Sequence, residues 1–328
     1  MTDSRDWTGV LAELEQAGWR ARVVPVERLA EVDARLQREL SSGRLAADVA
    51  ARIAADFGSE PETGVPALGG AGPEATPPRG APAPSPPARS VVIGAKARPL
   101  TQGALTVGGE RHVVVVPPHY AGYYSVPREL VAAVAAALAP GGFAAAGFSP
   151  PLKTLAACAG LASYGRNNIA YVPGLGSYLI FGACLSDAPP PDDAPWVEPQ
   201  KLERCERCSA CLRACPTEAI GADRFLLHTE RCLTWVNEDE APFPAWVDPA
   251  WHTCAVGCLR CQQVCPENAV VELAVAAPEE FDEDESRLIL AATPSSLLPP
   301  ATAAKLERCG LDYSPALIAR NVAALLPG

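Results

Sequence analysis

The chain has 328 residues and a formal net charge of −11, with 48% hydrophobic and 20% charged residues. This composition predicts a globular protein that is long enough for two hydrophobic cores. We expect no nucleic-acid partner, because nucleic-acid binders usually present clustered lysine and arginine. The sequence shows no export signal and no apolar span of membrane length. It therefore predicts a cytoplasmic protein with no membrane partner.

The first half of the chain alternates helices and strands. The hydrophobic spacing predicts helices at 6–17 and 27–57, with a strand at Val23–Val24 between them. Residues 61–89 are rich in proline and glycine and predict a linker, because such a stretch cannot build a core. Beyond it we expect strands at 90–94, 104–108 and 112–116, helices at 126–139 and 152–162, and strands at 169–172 and 178–183.

The second half is organised around cysteine. Prolines and aspartates at 189–195 mark a boundary, and a cysteine-rich segment follows. The acidic run Glu279–Glu285 is expected to be a solvated surface turn. The last fifty residues are predicted to be helical. Of the twelve cysteines, Cys158, Cys184 and Cys309 lie in apolar or small-residue settings that are typical of buried free thiols.

The first cysteine run has the spacing of bacterial two-cluster ferredoxins. Pro216 follows four cysteines in a C-x2-C-x2-C-x3-C pattern, namely Cys205, Cys208, Cys211 and Cys215. In that pattern three thiolates bind one [4Fe–4S] cluster and the fourth binds the other. Zinc sites usually present two separate C-x2-C pairs, so zinc is the weaker alternative.

The second run, Cys258, Cys261 and Cys265, lacks the first cysteine of the pattern, because Ala255 stands there. One cluster is then expected to take Cys205, Cys208, Cys211 and the crossing Cys265. The other cluster needs a ligand from outside both runs. Three of its ligands are expected to be Cys258, Cys261 and the crossing Cys215. The spacing leaves the fourth ligand open between Cys232 and Cys254.

Several segments resemble epoxyqueuosine reductase and, equally, the core of the reductive dehalogenases. They are Ala159–Asn168 (AGLASYGRNN), Gly176–Gly182 (GSYLIFG), Ser186–Pro189, Pro117–Tyr124 and both cysteine runs with Arg231–Thr234 between them. Both families join a cobalamin-binding domain to a two-cluster module. In the family the isolated Arg-Cys is a cluster ligand, so the resemblance favours Cys232 over Cys254.

The resemblance implies an α+β protein built from a corrinoid-binding-like α/β domain, a ferredoxin-like two-cluster module and a short helical tail. We expect an N-terminal portion at 1–60, the linker at 61–89, the corrinoid-binding-like domain at 90–198, the cluster module at 199–275 and the tail at 276–328. The cofactors implied are two [4Fe–4S] clusters and cobalamin.

Small and amide residues in two loops suit a close approach to the amide-bearing corrinoid. The predicted cobalamin contacts are Tyr164, Gly165, Asn167, Asn168, Gly176 and Ser177. For catalysis we expect a phenol to donate the proton beside a basic residue, as the dehalogenases pair them. The candidates are Tyr120, Tyr123, Tyr124 and the cation Arg166.

The chain also departs from the families it resembles. Epoxyqueuosine reductase carries an acidic residue before its Ala-Gly-Leu-Gly motif, whereas residues 144–155 hold no carboxylate. We also expect a short helical tail in place of the family's tRNA-binding helical repeats. We therefore expect a cytoplasmic corrinoid-dependent reductase fed by a ferredoxin or flavodoxin, acting on a small molecule. One alternative is an electron carrier or activator for a partner corrinoid protein. A second is an epoxyqueuosine reductase-like activity.

Overall fold

The computed structural model describes residues 7–57, 87–223, 225–269 and 271–326. Most of the predicted linker at 61–89 lies outside these residues. The strands are β1 (Trp19–Pro25), β2 (Ser90–Ala97), β3 (Thr101–Val107), β4 (Glu110–Val116), β5 (Ala145–Phe148), β6 (Ser163–Tyr164), β7 (Ala170–Tyr171), β8 (Leu179–Ser186) and β9 (Glu279–Phe281).

The helices complete a mixed α and β architecture, so the predicted α+β class is confirmed. Their bounds are α1 (Trp7–Gln16), α2 (Leu29–Ser41), α3 (Ala47–Phe57), α4 (Ser125–Leu138), α5 (Leu152–Cys158), α6 (Ala210–Ala214), α7 (Leu233–Asn237), α8 (Arg260–Gln263), α9 (Pro266–Ala269), α10 (Glu283–Leu290), α11 (Pro300–Cys309) and α12 (Pro315–Ala323). Within the described ranges, none of these helices is long and apolar enough to cross a membrane.

The chain divides into two compact units. The first holds the described residues up to 97 together with 124–175 and 179–206. Its sheet has the strand order β1-β2-β8-β5, with antiparallel pairing throughout. Strands β2 and β8 are buried along almost their whole length, as a central pair covered on both faces must be.

Two glycines let helix α4 lie close to this sheet. Gly94 and Gly182 are register partners on β2 and β8. A Cβ atom on Gly94 would come within 3.1 Å of the Leu130 side chain of α4, and one on Gly182 would come within 3.1 Å of the Pro127 Cα atom. Interiors are packed too densely to absorb such contacts without movement. The glycine pair therefore sets the depth at which α4 packs.

The second unit holds residues 98–123, 176–178 and the described residues from 207 onward. Its three-stranded sheet has the order β4-β3-β9, in which β9 pairs parallel to β3. Helices α10, α11 and α12 cover this sheet, and their apolar residues form one core with Leu105, Val114 and Phe281. The tail is thus part of the unit that contains most of the cysteines.

Three element predictions were wrong. The helix expected at 27–57 is two helices, because Ser42 and Gly43 (φ 69°) end α2 before α3 begins. Strand β5 was missed, since the Ala-rich stretch carries no strand signal of its own. The acidic run at 279–285 forms β9 and the first turn of α10. Asp282 caps the N-terminus of α10 and forms a capping box with Glu285. The carboxylates therefore accept hydrogen bonds from the first turn and stabilise the positive end of the helix dipole.

Candidate functional site

Two short helices of the second unit each hold one cysteine of the two runs. Cys211 lies in α6, and Cys215 follows that helix directly. Cys261 lies in α8, and Cys265 stands just before Pro266, the first residue of α9. Helix α6 packs against α8. The two runs are therefore side by side, which a crossing ligand set requires.

Exposure separates the cysteines into two groups. All twelve are free thiols, and eight of them are half-buried: Cys205, Cys208, Cys211, Cys215, Cys232, Cys258, Cys261 and Cys265. The other four, Cys158, Cys184, Cys254 and Cys309, are buried in the core. The half-buried eight are the set predicted as ligands when Cys232 is chosen. Cluster ligands must border a space large enough for iron and sulfide, whereas core thiols pack against carbon.

The surroundings of Cys232 place it near two other thiols of its expected cluster. Burial raises the pKa of the Cys232 thiol, and the nearby Cys215 sulfur raises it further. Burial likewise raises the pKa of Cys258 to about 12, with Cys254 and Cys232 adding to the effect. Burial and neighbouring sulfurs disfavour the thiolate form of these cysteines, whereas bound iron stabilises it. The donor set thus fits [4Fe–4S] clusters.

Cys254 has a different environment. It is 1% exposed and packs with Leu100, Tyr178 and Leu259. Its sulfur lies 3.6 Å from the Thr253 hydroxyl, and the backbone N–H of Leu259 also contacts it. These contacts are those of a packed core thiol.

Arg166 lies beside a cysteine of the first run, in the first unit. The backbone N–H of Arg166 donates to Cys205 Sγ at 3.3 Å, and its guanidinium donates to the Cys205 carbonyl. An N–H bond to a ligand sulfur stabilises negative charge on that sulfur. Arg166, predicted as a catalytic cation, is therefore anchored to an expected cluster ligand.

The loop that holds Arg166 uses its other polar groups internally. Asn167 is 2% exposed and donates from Nδ2 to the Tyr171 hydroxyl at 3.0 Å. A Cβ atom on Gly165 would lie 2.4 Å from Asn167 Oδ1, so only glycine fits there. The Tyr164 hydroxyl is 3.3 Å from that of Thr154, and Lys153 donates to the Asn168 carbonyl at 3.2 Å. Hydrogen bonds within the loop and to helix α5 therefore hold this loop in place.

The second predicted cobalamin loop behaves in the same way. Ser177 Oγ donates to Gln262 Oε1 at 2.9 Å, and the Ser177 backbone N–H donates to Asn268 Oδ1 at 2.8 Å. Asn268 Nδ2 in turn donates to the Gln262 carbonyl. A Cβ atom on Gly176 would lie 2.4 Å from Asn268 Oδ1. The network ties residues 176–178 to the helices that carry the second cysteine run.

The three candidate tyrosines have distinct environments. Tyr120 is 3% exposed, and its hydroxyl donates to Glu238 Oε1. Burial, followed by the nearby Glu238 charge, raises the pKa of Tyr120 well above its usual value. Tyr123 and Tyr124 are more than half exposed. Tyr120 therefore holds its proton firmly, while the other two phenols are open to solvent.

Sequence reasoning missed several polar residues of this region. Glu238 and Asn321 carry no motif, and Asn268 was seen only as a residue behind the second run. His252 is buried, and among the residues that the structure describes neither of its ring nitrogens has a hydrogen-bond partner. Burial lowers the pKa of His252, and the nearby Arg320 charge lowers it further.

The first unit also has a surface groove. An open groove of about 1040 Å³ runs along α1 and β1 beside Pro189–Pro191. None of the predicted site residues lines it. In the described part of the chain, no three histidine, cysteine, aspartate or glutamate side chains surround a single-ion position. Each thiolate of a cubane binds a different iron atom, so cluster ligands have no such single centre.

Two cysteine runs on paired short helices define a two-cluster iron–sulfur protein. Residues 204–268 match the family model for a 4Fe-4S double cluster binding domain. The predicted pair of [4Fe–4S] clusters is therefore supported.

The wider similarity is to epoxyqueuosine reductases. The enzyme from Pseudomonas aeruginosa is 35% identical over 144 residues, which are 43% of this chain and 38% of that protein. The chain's match thus spans well under half of this curated relative. The epoxyqueuosine reductase structure from Bacillus subtilis aligns with a TM-score of 0.60 at 17% identity, over 97% of this chain and 80% of the other. The predicted resemblance to epoxyqueuosine reductases is confirmed: the cluster segment matches a double-cluster family, part of the sequence matches the P. aeruginosa enzyme, and the fold is that of the B. subtilis structure.

The expectation of no nucleic-acid partner is wrong. An epoxyqueuosine reductase of this fold has been solved with an epoxyqueuosine-modified tRNA stem loop (TM-score 0.58, 17% identity, 97% of this chain and 80% of the other). Net charge sums over the whole surface and does not report the local potential where a phosphate would bind. A charge of −11 therefore gave no ground for excluding tRNA.

Proposed function

We propose that this chain is an iron–sulfur reductase of the epoxyqueuosine reductase type, acting on an epoxide carried by a tRNA nucleoside. The match to the P. aeruginosa enzyme carries the proposal. It extends over 144 residues, whereas the cluster segment 204–268 is less than half that long. The shared sequence therefore reaches beyond the ferredoxin motif, which many unrelated electron carriers also contain.

The chemistry requires two electrons and two protons. Reduction of an epoxide to an alkene breaks two C–O bonds, forms the C=C bond and releases the oxygen as water. Each [4Fe–4S] cluster transfers one electron at a time, so the cysteine module suits delivery from a one-electron donor such as a ferredoxin or flavodoxin. The fixed charge of Arg166 beside Cys205 favours the more negative, reduced state of that site.

The protons need a source that replaces the carboxylate missing from 144–155. The buried Tyr120 is a poor donor, because its pKa is raised and its proton is shared with Glu238. Tyr123 and Tyr124 are exposed, so a substrate can reach them. We assign the donor role to this exposed pair, with Tyr120 holding their segment in place.

The corrinoid-dependent form of the reaction is a narrower proposal, and the predicted contacts do not fit it. Asn167 and Ser177 are buried, and their side chains bond to Tyr171 and Gln262. The spaces beside Gly165 and Gly176 are filled by Asn167 and Asn268. These groups are not open to the amides of a corrin ring. We therefore assign no step of the reaction to cobalamin.

An anaerobic assay tests the proposed function. The protein, reconstituted with iron and sulfide, is mixed with an epoxyqueuosine-containing tRNA stem loop and a low-potential reductant, with and without added cobalamin. We expect the nucleoside to lose the mass of one oxygen atom, as measured by mass spectrometry. Cys208→Ala should abolish this conversion because it removes a cluster ligand. Cys309→Ala, which alters a buried thiol far from the two runs in sequence, should preserve it.

The opposite result has a definite meaning. If the protein contains both clusters and they are reduced, yet the stem loop is unchanged in both arms, the enzyme proposal fails. The carrier alternative then accounts for the module, and reduction of a partner protein's cofactor becomes the activity to measure.

A further inference from the structure

Among the described residues of the second unit, His252 is a buried polar side chain with two unsatisfied atoms. It is 7% exposed, and neither ring nitrogen has a hydrogen-bond partner among the described residues. An imidazole carries at least one N–H group in either protonation state. Leaving that group buried without an acceptor destabilises the folded protein, because the hydrogen bond that it makes to water in the unfolded chain is not replaced. Because buried polar groups are normally hydrogen-bonded, we look for the acceptor of His252 outside the described residues.

The ring lies next to the residues expected to hold the second cluster. It stacks on Phe243, with ring centroids 4.5 Å apart. Phe243 packs on a small apolar core of Leu233, Val236 and Val247, against which Cys258 also packs. Leu233 directly follows Cys232 in the chain. The imidazole therefore reaches this core through Phe243, while Cys258 packs on the core and Cys232 adjoins it in sequence.

The guanidinium of Arg320, which also packs on Phe243, already has hydrogen-bond acceptors. Arg320 lies over the Phe243 ring at 4.1 Å, and its guanidinium donates to the carbonyls of Val236 and Ala241. The sulfurs of a cluster accept hydrogen bonds, and such bonds stabilise their negative charge in an apolar setting. The N–H group of the His252 ring can donate such a bond.

We propose that His252 donates an N–H hydrogen bond to a sulfur of the cluster bound by Cys232 and Cys258, and thereby raises the reduction potential of that cluster. The bond strengthens when the cluster gains an electron, because its sulfurs then carry more negative charge. Donors to cluster sulfur are among the levers that set these potentials. His252 is thus a positioning residue for electron flow, and the proposal holds whatever the substrate is.

Spectroscopy on the unmodified chain tests the bond directly. The protein is labelled with ¹⁵N-histidine, reconstituted with iron and sulfide and reduced, and the cluster signal is examined by pulsed electron paramagnetic resonance. We expect a weak histidine nitrogen coupling, which His228→Gln leaves intact. His228 is the matched control, because it is the other histidine of residues 205–265 and is 39% exposed. A missing coupling, or the strong coupling of a directly bound nitrogen, overturns the proposal.

Variants test the effect on the potential. His252→Phe should lower the potential of one cluster and leave the other unchanged in a redox titration. A tenfold change in its oxidised-to-reduced ratio corresponds to about 59 mV for one electron. His252→Gln keeps an N–H group and should restore part of the shift. Equal potentials in all three proteins overturn the proposal. If His252→Phe fails to retain iron, the nitrogen coupling of the labelled wild-type protein and the cluster potential of His252→Gln test the proposal instead.

Discussion

Cys232 and Cys254 compete for one ligand position, and their surroundings differ at the residue level. Both lie near the Cys258 thiol, but Cys232 is half-buried and also lies near Cys215, whereas Cys254 is packed in the core. Cys232→Ala should therefore lose one cluster, close to half of the iron. Cys254→Ala should retain all of it and lose only about 1 kcal/mol of stability through lost packing.

Iron and sulfide analysis of anaerobically reconstituted protein measures both changes. Loss of a cluster from Cys254→Ala with full retention in Cys232→Ala would show that the short Cys254-x3-Cys258 spacing decides the ligand. It would also show that the half-buried position of Cys232 is incidental.

The buried Tyr120–Glu238 hydrogen bond should make stability depend on alkaline pH. The pKa of Tyr120 is raised above its usual 10.0, so the folded protein keeps the proton while the unfolded chain releases it. This contribution is complete below about pH 10 and is lost as the pH rises further. Tyr120→Phe should flatten that loss. At neutral pH it should cost about 1.5–3 kcal/mol, because Glu238 loses a donor.

Denaturant unfolding at several pH values measures this effect. Tyr124→Phe is the control, since an exposed phenol should change stability by only about 0.5 kcal/mol. Equal pH dependence in wild-type protein and Tyr120→Phe would mean that the pair does not hold the proton as described.

Local spacing explains which site residues the sequence could reveal. Within each run the ligands are separated by two or three intervening residues, a spacing that lets neighbouring thiolates bind one cubane. Tyr120 and Glu238 are separated by 118 positions, and neither stands in a motif. The orphaned ring of His252 is likewise a property of tertiary packing. A single sequence carries no signal for such pairs.

At the scale of elements, helix α12 acts as a clamp on the cysteine-bearing segments. Asn321 is fully buried, and its Nδ2 atom donates to the Asn237 carbonyl at 2.9 Å and the Ala255 carbonyl at 3.0 Å. Asn237 ends α7, the helix that follows Cys232, and Ala255 leads into Cys258. One amide thus fixes the approaches to two expected ligands.

Replacing this amide should loosen the module. Asn321→Leu leaves two buried carbonyls without a donor, which costs about 1–3 kcal/mol for each. We expect a lower unfolding midpoint and faster iron loss to a chelator. Arg308→Ala is the matched control on the neighbouring helix α11, because its ion pair with Glu279 is partly exposed and contributes about 1 kcal/mol. Equal iron loss from both variants would refute the clamp.

The elements that the sequence predicted are those with strong local signals. The apolar runs at 90–94 and 112–116 lie in β2 and β4, and the helix expected at 126–139 is α4. The errors arose where a tertiary partner decides the conformation. Residues 145–148 form strand β5 because they pair with the edge of β8, and residues 279–281 form β9 because they pair with β3. The carboxylates of 279–285 suggested a solvated turn, but Arg308, Arg111 and Lys305 neutralise three of them.

At the scale of the whole molecule, the ligand arithmetic predicts eight iron and eight sulfide atoms per chain. Two complete sets of four thiolates are available, and the exposure of the cysteines separates those eight from the remaining four. Metal analysis by mass spectrometry with a colorimetric sulfide assay checks the number. Four iron atoms, or zinc in their place, would show that the second set is not a cluster site.

Removal of the clusters should affect the two compact units unequally. The four-stranded sheet of the first unit rests on cores formed by residues such as Val92, Ile93 and Leu130, which need no metal. Helices α6, α7, α8 and α9 have only four or five residues each, and isolated helices so short are unstable. We expect their conformation to depend on ligand bonds, because metal binding and folding are coupled.

After iron is removed by chelation under reducing conditions, hydrogen exchange followed by mass spectrometry should show loss of protection across 207–269. Strands β2 and β8 should stay protected, and Cys309→Ala should behave as wild-type protein does. Uniform loss of protection would mean that the clusters stabilise the whole chain. Full retention in 207–269 would mean that the short helices are held by α12 and the Ser177–Gln262–Asn268 network alone.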